Sequence, residues 1–594
     1  MAAARLGVTM ALLRGVIVPA PAHAATIADL APRDALLLVS VDDYTAFREA
    51  LARTAIAAFL HEPEVQDWFA SFWTADAQTW RGETRDRGLD PDDLPRPAGA
   101  VGLAVWVDPA AASPMVAHTL LYAEMGADAD LFERTLEALI GSAERDGLAE
   151  STEIDVAGIA GRRVSLPRWR VRLEGAARML ITADEFIVVR IGDAFLASTD
   201  ERELVRALAR LRGDAGGSLA RRREYISALD HLGPAHLRLT LLAAPLLEAL
   251  DRLARSDAGV ESAGGTVYDA PAIAGALGLA SVEAVSLGVT FDAPDAPLTA
   301  HAVVITPRKE GVLALFDAPV DGLSPKRAVP VSSLDVRQFG LRYERIIPMA
   351  LGLVDVLPER DRAQARAMVG FLTAAVGPLF QTLGPETVLA RWRTEEASGG
   401  GQRGLFEARA GNEDAIAATL RMVGSLIGLK NRAEGAALVW TLGDSQALAL
   451  DDGWLVIADR QAITAALAAR PVWGEVALIE SVRFQHAAAR LTPGAVFYSY
   501  TNLVENARWT RWREDHWEDL LREDLRDLGQ TAAEIERWVE DERAQRDTHG
   551  VIEWPDAETV GRHLGDAVAE VRSTPFGFEY RGWLLPPEPA DEPR

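Results

Sequence analysis

Along this chain the apolar positions switch repeatedly between two spacings. Short apolar runs with strand character are followed by stretches whose apolar residues recur every three or four positions, the spacing of an amphipathic helix. Ala35-Leu-Leu-Leu-Val-Ser-Val41 is apolar almost throughout, which predicts a central buried strand, and a helix through Phe47 and Leu51 follows it. Asp193-Ala-Phe-Leu-Ala-Ser-Thr-Asp200 and Asp452-Gly-Trp-Leu-Val-Ile-Ala-Asp459 are both apolar strands ending at an aspartate placed to cap the next helix. Those helices run through Leu204 and Leu208 in one case and through Ile463 and Leu467 in the other.

The two segments lie 259 residues apart (193 to 452), and the same offset carries Gly233–Leu242 onto Thr492–Thr501. Each is a Pro-bounded strand leading into a helix, beginning near Ala244 or Asn502. Earlier elements match at an offset of 284 (130 to 414): Asp130 with Thr135-Leu136, and Asp414 with Thr419-Leu420. The strand pair before them, Val101–Val107 and Leu120–Met125, corresponds to Val388–Thr394 and Leu405–Ala410, and Ala35–Val41 has a looser counterpart in Ser333–Phe339. Later elements match at 287 (277 to 564): both copies then enter a hairpin, Val282–Phe291 with Leu298–Thr306, and Ala567–Ser573 with Gly577–Leu584. The chain therefore reads as an internal duplication of one α+β unit, an antiparallel or mixed sheet with helices packed on one face. The expected layout is a signal peptide at 1–24, a first repeat at 25–318, a linker at 319–330 and a second repeat at 331–585. A disordered tail at 586–594 would close it. The changing offset predicts that the second copy lacks a segment between Ile140 and Asp193 and gains an acidic, Trp-rich helical insert at 509–555.

Composition narrows the setting. The sequence has 594 residues, no cysteine, and a formal net charge of −26; lysine occurs only at 309, 326 and 430. An acidic chain is a poor partner for nucleic acid or an anionic membrane. Arg5, the apolar Leu6–Leu13 and Ala22-His-Ala24 have the form of an export signal, interrupted at Arg14. Without cysteine there is no site for a bacterial lipid anchor, and no later apolar run reaches the length of a membrane span. The expectation is a periplasmic or secreted protein with neither a transmembrane segment nor a lipid anchor.

Three stretches carry a resemblance. They are Pro32–Asp42 with His61-Glu-Pro-Glu-Val-Gln-Asp-Trp-Phe69, then Leu287–Asp292 running on to Pro307–Phe316, and Arg572-Ser-Thr-Pro-Phe-Gly-Phe578. Together the chain resembles a group of large exported proteins of planctomycete-type bacteria, similar to the family catalogued as domain of unknown function 3352. The resemblance implies an exported repeat protein and hands over no functional residues.

Motifs for chemistry are sparse. Gly399-Gly-Gly401-Gln-Arg-Gly404 has the letters of a dinucleotide loop, but it separates two strands and reads as a hairpin loop. Gly424-Ser-Leu-Ile-Gly428 misplaces the serine of a nucleophile elbow. No histidine pair has metal-ligand spacing on a helix; His231 and His236 flank a turn, and His301 sits in a strand. Asp42-Asp43 supplies a helix cap, and Asp451-Asp452-Gly453 a hairpin turn. No cofactor is expected. In the insert, Trp509, Trp512 and Trp517 join Leu520, Leu521, Leu525 and Leu528 on one helical stripe with acidic faces beside it. This is either a partner interface or a surface packed on its own domain. The functional expectation is an exported, non-enzymatic scaffold or binding protein of the cell envelope, with an unknown protein or ligand as partner. Two alternatives are a hydrolase whose carboxylates meet only in the fold, and a carrier whose apolar ligand occupies a cavity between sheet and helices.

Overall fold

The computed structural model describes residues 26–71, 95–107, 115–145, 147, 149–165, 180–182, 185–214, 216–255, 268–291, 296–326, 328–393, 402–427, 431–434, 437–442, 446–469, 476–549 and 554–587. The signal segment 1–24, residues 257–266, Gly399–Gly401, Gly428 and most of the tail lie outside the described residues.

Strand-forming runs in the first half give β1 (Leu37–Val41), β2 (Val101–Val107), β3 (Met115–Glu124), β4 (Glu150–Val156), β5 (Ile159–Ser165), β6 (Leu180–Thr182), β7 (Glu185–Ile191), β8 (Ala194–Ser198), β9 (Leu237–Leu242), β10 (Ala284–Thr290) and β11 (Leu298–Ile305). The second half supplies β12 (Ser333–Gly340), β13 (Leu383–Arg393), β14 (Gln402–Ala410), β15 (Asn431–Glu434), β16 (Ala437–Leu442), β17 (Gln446–Asp451), β18 (Trp454–Asp459), β19 (Phe497–Thr501), β20 (Ala567–Thr574) and β21 (Gly577–Leu584).

In the first half the spatial order is β4-β5-β7-β8-β3-β2-β1-β9-β10-β11, antiparallel throughout. In the second it is β15-β16-β17-β18-β14-β13-β12-β19-β20-β21, again antiparallel. The two orders correspond strand for strand. β6, which runs parallel to the start of β3, has no counterpart among the described residues. The halves meet where β11 pairs antiparallel with β21, from Leu298 opposite Leu584 to Ile305 opposite Gly577, so one sheet runs through both.

The fold is α+β, but its helices lie on both faces of the sheet, not on one. On face A, Ile27–Leu30, Glu201–Leu211 and Arg223–Leu232 close a core with Leu38, Ala104, Trp106, Leu120, Leu196 and Val303. Its second-half equivalent sets Arg460–Leu467 and Val482–Ala488 against Val336, Val388, Trp392, Leu405 and Val456. On face B, Ala129–Arg145 covers Val188 and Phe195, and Glu413–Ile427 covers Leu448, Leu450 and Leu455. The physical reason is that these strands carry apolar residues at both parities, so each outer segment needs a cover on each side.

The predicted caps form. Asp200 accepts from the backbone N–H groups of Arg202 and Glu203, Asp459 from those of Gln461 and Ala462, and Asp43 from that of Ala46. Asp452 and Gly453 both take positive φ (45° and 77°), the tight turn that joins β17 to β18.

Candidate functional site: a half-buried apolar face of the sheet

Successive residues of a strand point to opposite faces, so the polar parity should meet solvent and the apolar parity the core. At the centre of the first half this relation is inverted. In β9 the polar Thr240 is 2% exposed, whereas its apolar neighbour Leu239 is 37% exposed. Ser40 of β1 and Ser286 of β10 are buried on face A, where the Thr240 and Ser286 hydroxyls bond each other at 2.8 Å. Val39 and Leu287, on the other parity, are only half-buried.

The half-buried parity continues from strand to strand. Leu103 and Val105 of β2, Leu37 and Val39 of β1, and Leu237 and Leu241 of β9 share face B. Val285, Leu287 and Val289 of β10, Ala300, Ala302 and Val304 of β11, and Tyr580 of β21 extend it across the junction of the halves. None of these side chains belongs to a hydrophobic core cluster among the described residues. From β2 to β21 there are five inter-strand steps, a floor about 24 Å wide at about 4.8 Å per step.

Helices border the two ends of the strands that make this floor. Ala243–Arg255 leaves the end of β9 and packs on Ala270–Ala276, which packs on Ile346–Val356 of the second half. At the other end, Ala557–His563 leads into β20 and packs on Leu503–Asp515 and on Ala55–Leu60 of the first half. Ala507, Val560 and Leu564 are buried there against Ile56, Phe59 and Leu584. The contact is also polar. Glu64 accepts from the Asp556 backbone N–H at 2.7 Å and the Thr559 hydroxyl at 3.0 Å, and Glu62 accepts from Arg562 at 2.9 Å. A bond from His563 at 2.6 Å and the one from Arg562 hold the Glu62 carboxyl below its ordinary range.

The tryptophans singled out from the sequence lie elsewhere. The single stripe expected from Trp509 to Leu528 is broken at His516, whose backbone leaves the helical region and divides Leu503–Asp515 from Trp517–Asp527. Trp509, half-buried, has the Arg513 guanidinium 4.8 Å from its ring centre. Trp512 stacks on His516 at 4.6 Å, and Arg546 sits 4.4 Å from the Trp517 ring. Each ring is thus engaged by a cationic or imidazole side chain of the same insert.

Several titratable groups off the floor form ion pairs. Lys309 donates to Asp317 at 3.1 Å and also to the Ser573 hydroxyl, which itself donates to Asp317. Burial opposes ionisation of Asp317, but these bonds outweigh it and hold the carboxyl below its usual value. With its hydroxyl bound to a carboxylate and its neighbour an ion-paired ammonium, Ser573 is not set up as a nucleophile. On face A, Glu407 is fully buried and lies 3.8 Å from Lys326. Burial pushes its carboxyl up to about 7, Lys326 opposing the rise and Glu386 adding to it. His231 stacks on Phe576, His236 accepts from the Phe291 backbone N–H, and His301 pairs with Glu579. Among the described residues no three His, Asp or Glu side chains are grouped to hold a metal ion.

No family model matches the chain. No curated protein matches it either. A solved structure titled "Structure of crystal form III of TP0453" is similar at 8% identity over 42% of this chain and 75% of that one, with a TM-score of 0.21. A likeness that slight carries no argument, and the functional reading rests on the site itself.

The sequence did hold a signal for this floor. Leu237, Leu239 and Leu241 alternate with Arg238 and Thr240, which marks one parity as apolar; it does not show that this parity would stay outside every core cluster of the described residues.

Proposed function

We propose that the chain is an exported, non-enzymatic binding protein that carries an apolar, acyl-chain ligand on face B of its central strands. One observation supports this above the others: Leu239 is open while Thr240 beside it is buried, and the same inversion holds at Val39 with Ser40 and at Leu287 with Ser286. An apolar parity that no core cluster covers among the described residues is a surface with burial energy still to gain, at about 25 cal/mol per Å². Covering a dozen half-buried Leu, Val and Ala side chains returns on the order of 10 kcal/mol before ordering costs, enough for micromolar binding or better.

Dimensions and chemistry favour an acyl chain. One bilayer leaflet has a hydrocarbon depth of about 15 Å, well within the floor. The floor side chains are aliphatic apart from Tyr580 and, at its edge opposite Val304, Phe578, so an extended peptide laid across them would leave its backbone polar groups unpaired. A hydrocarbon chain has none to satisfy. The matching strand order of the halves supports descent from one repeated unit, with the floor spanning the seam between the copies. The export-like segment at 1–24 supports a location in the envelope or outside the cell.

The test is uptake of a fluorescent polyene fatty acid from solution, with Leu239→Glu and Leu287→Glu as variants. The full chain takes up the probe, and each substitution weakens uptake about ten-fold or more, because a charge replaces apolar floor. A chain that leaves the probe in water, or variants that bind as well as the parent, refutes the proposal.

A further inference from the structure

On face A the two halves differ at one matching place. In the first half the helices Ile27–Leu30 and Arg223–Leu232 and the strands β1 and β9 enclose a cleft of about 230 Å³. Ser40 and Arg238, opposite each other across β1 and β9, line it from below, and Tyr225 lines it from the second helix. Ser40 is 7% exposed and Tyr225 6%, yet neither hydroxyl has a hydrogen-bond partner among the described residues. Asp42, paired with Arg238, and Asp230 are the exposed groups of the rim.

In the second half the same framework is closed. Gln338 lies opposite Tyr498 across β12 and β19 as Ser40 lies opposite Arg238, and Phe484, 259 residues on from Tyr225, is buried on the matching helix. Gln338 accepts from the Ser324 backbone N–H and donates to Glu386, both at 2.7 Å. The Tyr498 hydroxyl accepts from the Ala495 N–H at 3.0 Å and donates to the Thr492 carbonyl at 2.7 Å. Where this framework only has to pack, its polar groups are satisfied; in the first half two buried hydroxyls are left over, at a cost in stability. We propose that the first-half cleft binds a small, neutral, polyhydroxylated molecule of monosaccharide size.

The lining selects that chemistry by alternating in sign. Arg238 only donates, Asp42 and Asp230 only accept, and the hydroxyls of Ser40 and Tyr225 do either. Burial pushes the Tyr225 hydroxyl up to about 12, with Arg238 opposing the rise and Asp42 and Asp29 adding to it, so the phenol keeps its proton at neutral pH. A ligand carboxylate would face Asp42 and Asp230, and an ammonium would face Arg238. A neutral hydroxyl donates and accepts, so it pairs with all of these without setting a charge against its like. Ile27, Ile226 and Leu229 supply an apolar wall for the C–H face of a ring. Sites for drug-sized ligands begin near about 300 Å³, so this cleft admits one small ring. It lies across the sheet from the proposed acyl floor and does not rest on that reading.

The test is isothermal titration of the full chain with D-glucose, D-galactose, D-mannose and N-acetyl-D-glucosamine, with acetate and n-butylammonium as charged controls. At least one sugar binds with millimolar affinity or better, and more tightly than either control. Tyr225→Phe and Ser40→Ala each weaken that sugar about five- to ten-fold, the loss of one hydrogen bond, and leave fatty-acid uptake within about two-fold of the parent. Thermal midpoints separate a ligand role from a structural one. Tyr225→Phe removes a hydroxyl without a protein partner and leaves the midpoint unchanged, whereas Tyr498→Phe breaks bonds and lowers it. A chain that binds none of the sugars overturns the inference, as does a charged control that binds more tightly than all of them. Variants that bind the sugar as well as the parent also overturn it, and so does a Tyr225→Phe midpoint that falls as far as that of Tyr498→Phe.

Discussion

Thr240 and Glu407 are both polar, both buried on face A, and differ in what burial costs them. Thr240 bonds Ser286, so its hydroxyl is satisfied. Among the described residues Glu407 has only Lys326 at 3.8 Å, and neither carboxylate oxygen has a hydrogen-bond partner there. Its pKa is raised in the folded state, so the native protein holds the proton more tightly than the unfolded chain. Stability therefore falls as pH rises from the ordinary carboxylate range to about 7, and levels off above it. Glu407→Gln, which mimics the protonated form, should stabilise the protein by about 1–3 kcal/mol at pH 8 and by little near pH 4. Chemical denaturation at the two pH values reads this out, and a gain confined to the acid side would contradict it. Asp566 presents the opposite case. It is buried, accepts from Arg483 Nε at 2.6 Å and from the Tyr500 hydroxyl at 2.7 Å, and is well partnered. Arg483→Ala strands a buried carboxylate and should cost about 3 kcal/mol in the same denaturation experiment.

Among the elements, those specified by neighbours in sequence were the most legible. The caps at Asp43, Asp200 and Asp459 and the turn at Asp452-Gly453 depend on a few adjacent residues, and all were readable. Gly453→Ala forces a side chain into a left-handed conformation and should cost about 1 kcal/mol, visible as a lower thermal midpoint. The insert was less legible. Its composition marked it as helical, but the break at His516 depends on packing against a third helix, Ala532–His549. Trp517–Asp527 and Ala532–His549 form a hairpin knit by Arg522 with Glu518 and Glu536, and by Arg543 with Glu518. The hairpin packs mainly on itself and on the end of Leu503–Asp515. Replacing 517–549 by a short Gly-Ser link should move the thermal midpoint by only a few degrees, and a collapse of the fold would show that the sheet depends on it.

In the whole molecule, β11 and β21 turn two similar halves into one sheet. Cooperative unfolding is then expected to cross the seam: calorimetry on the full chain should show one principal transition. Ala302→Pro removes a ladder donor and places a rigid ring at the middle of the seam, opposite Tyr580, and should separate that transition into two. Two transitions in the parent would mean that the seam does not couple the halves. An acyl ligand that spans the seam raises the midpoint of the coupled transition, by about 2.7 kcal/mol of added stability at a hundredfold excess over its dissociation constant.

The α+β character, the alternation of strands with helices and the recurrence of one element order in both halves were written in the chain. Helix and strand periods are local properties, set by backbone geometry and by the side chains three or four places away. The floor was not. Alternation in β9 separates Leu239 from Thr240, but a strand's pattern only sorts its residues between two faces; it does not say which face will receive a covering layer. That choice was made by how whole helices pack, including ones that adjoin these strands in sequence. Arg223–Leu232 and Ile27–Leu30 settled over the polar parity on face A, while the helices of face B gathered over the outer strands and at the strand ends. The composition excluded thiol chemistry and disulfides at the outset, and tertiary packing left Leu239 exposed and its face B neighbours half-buried.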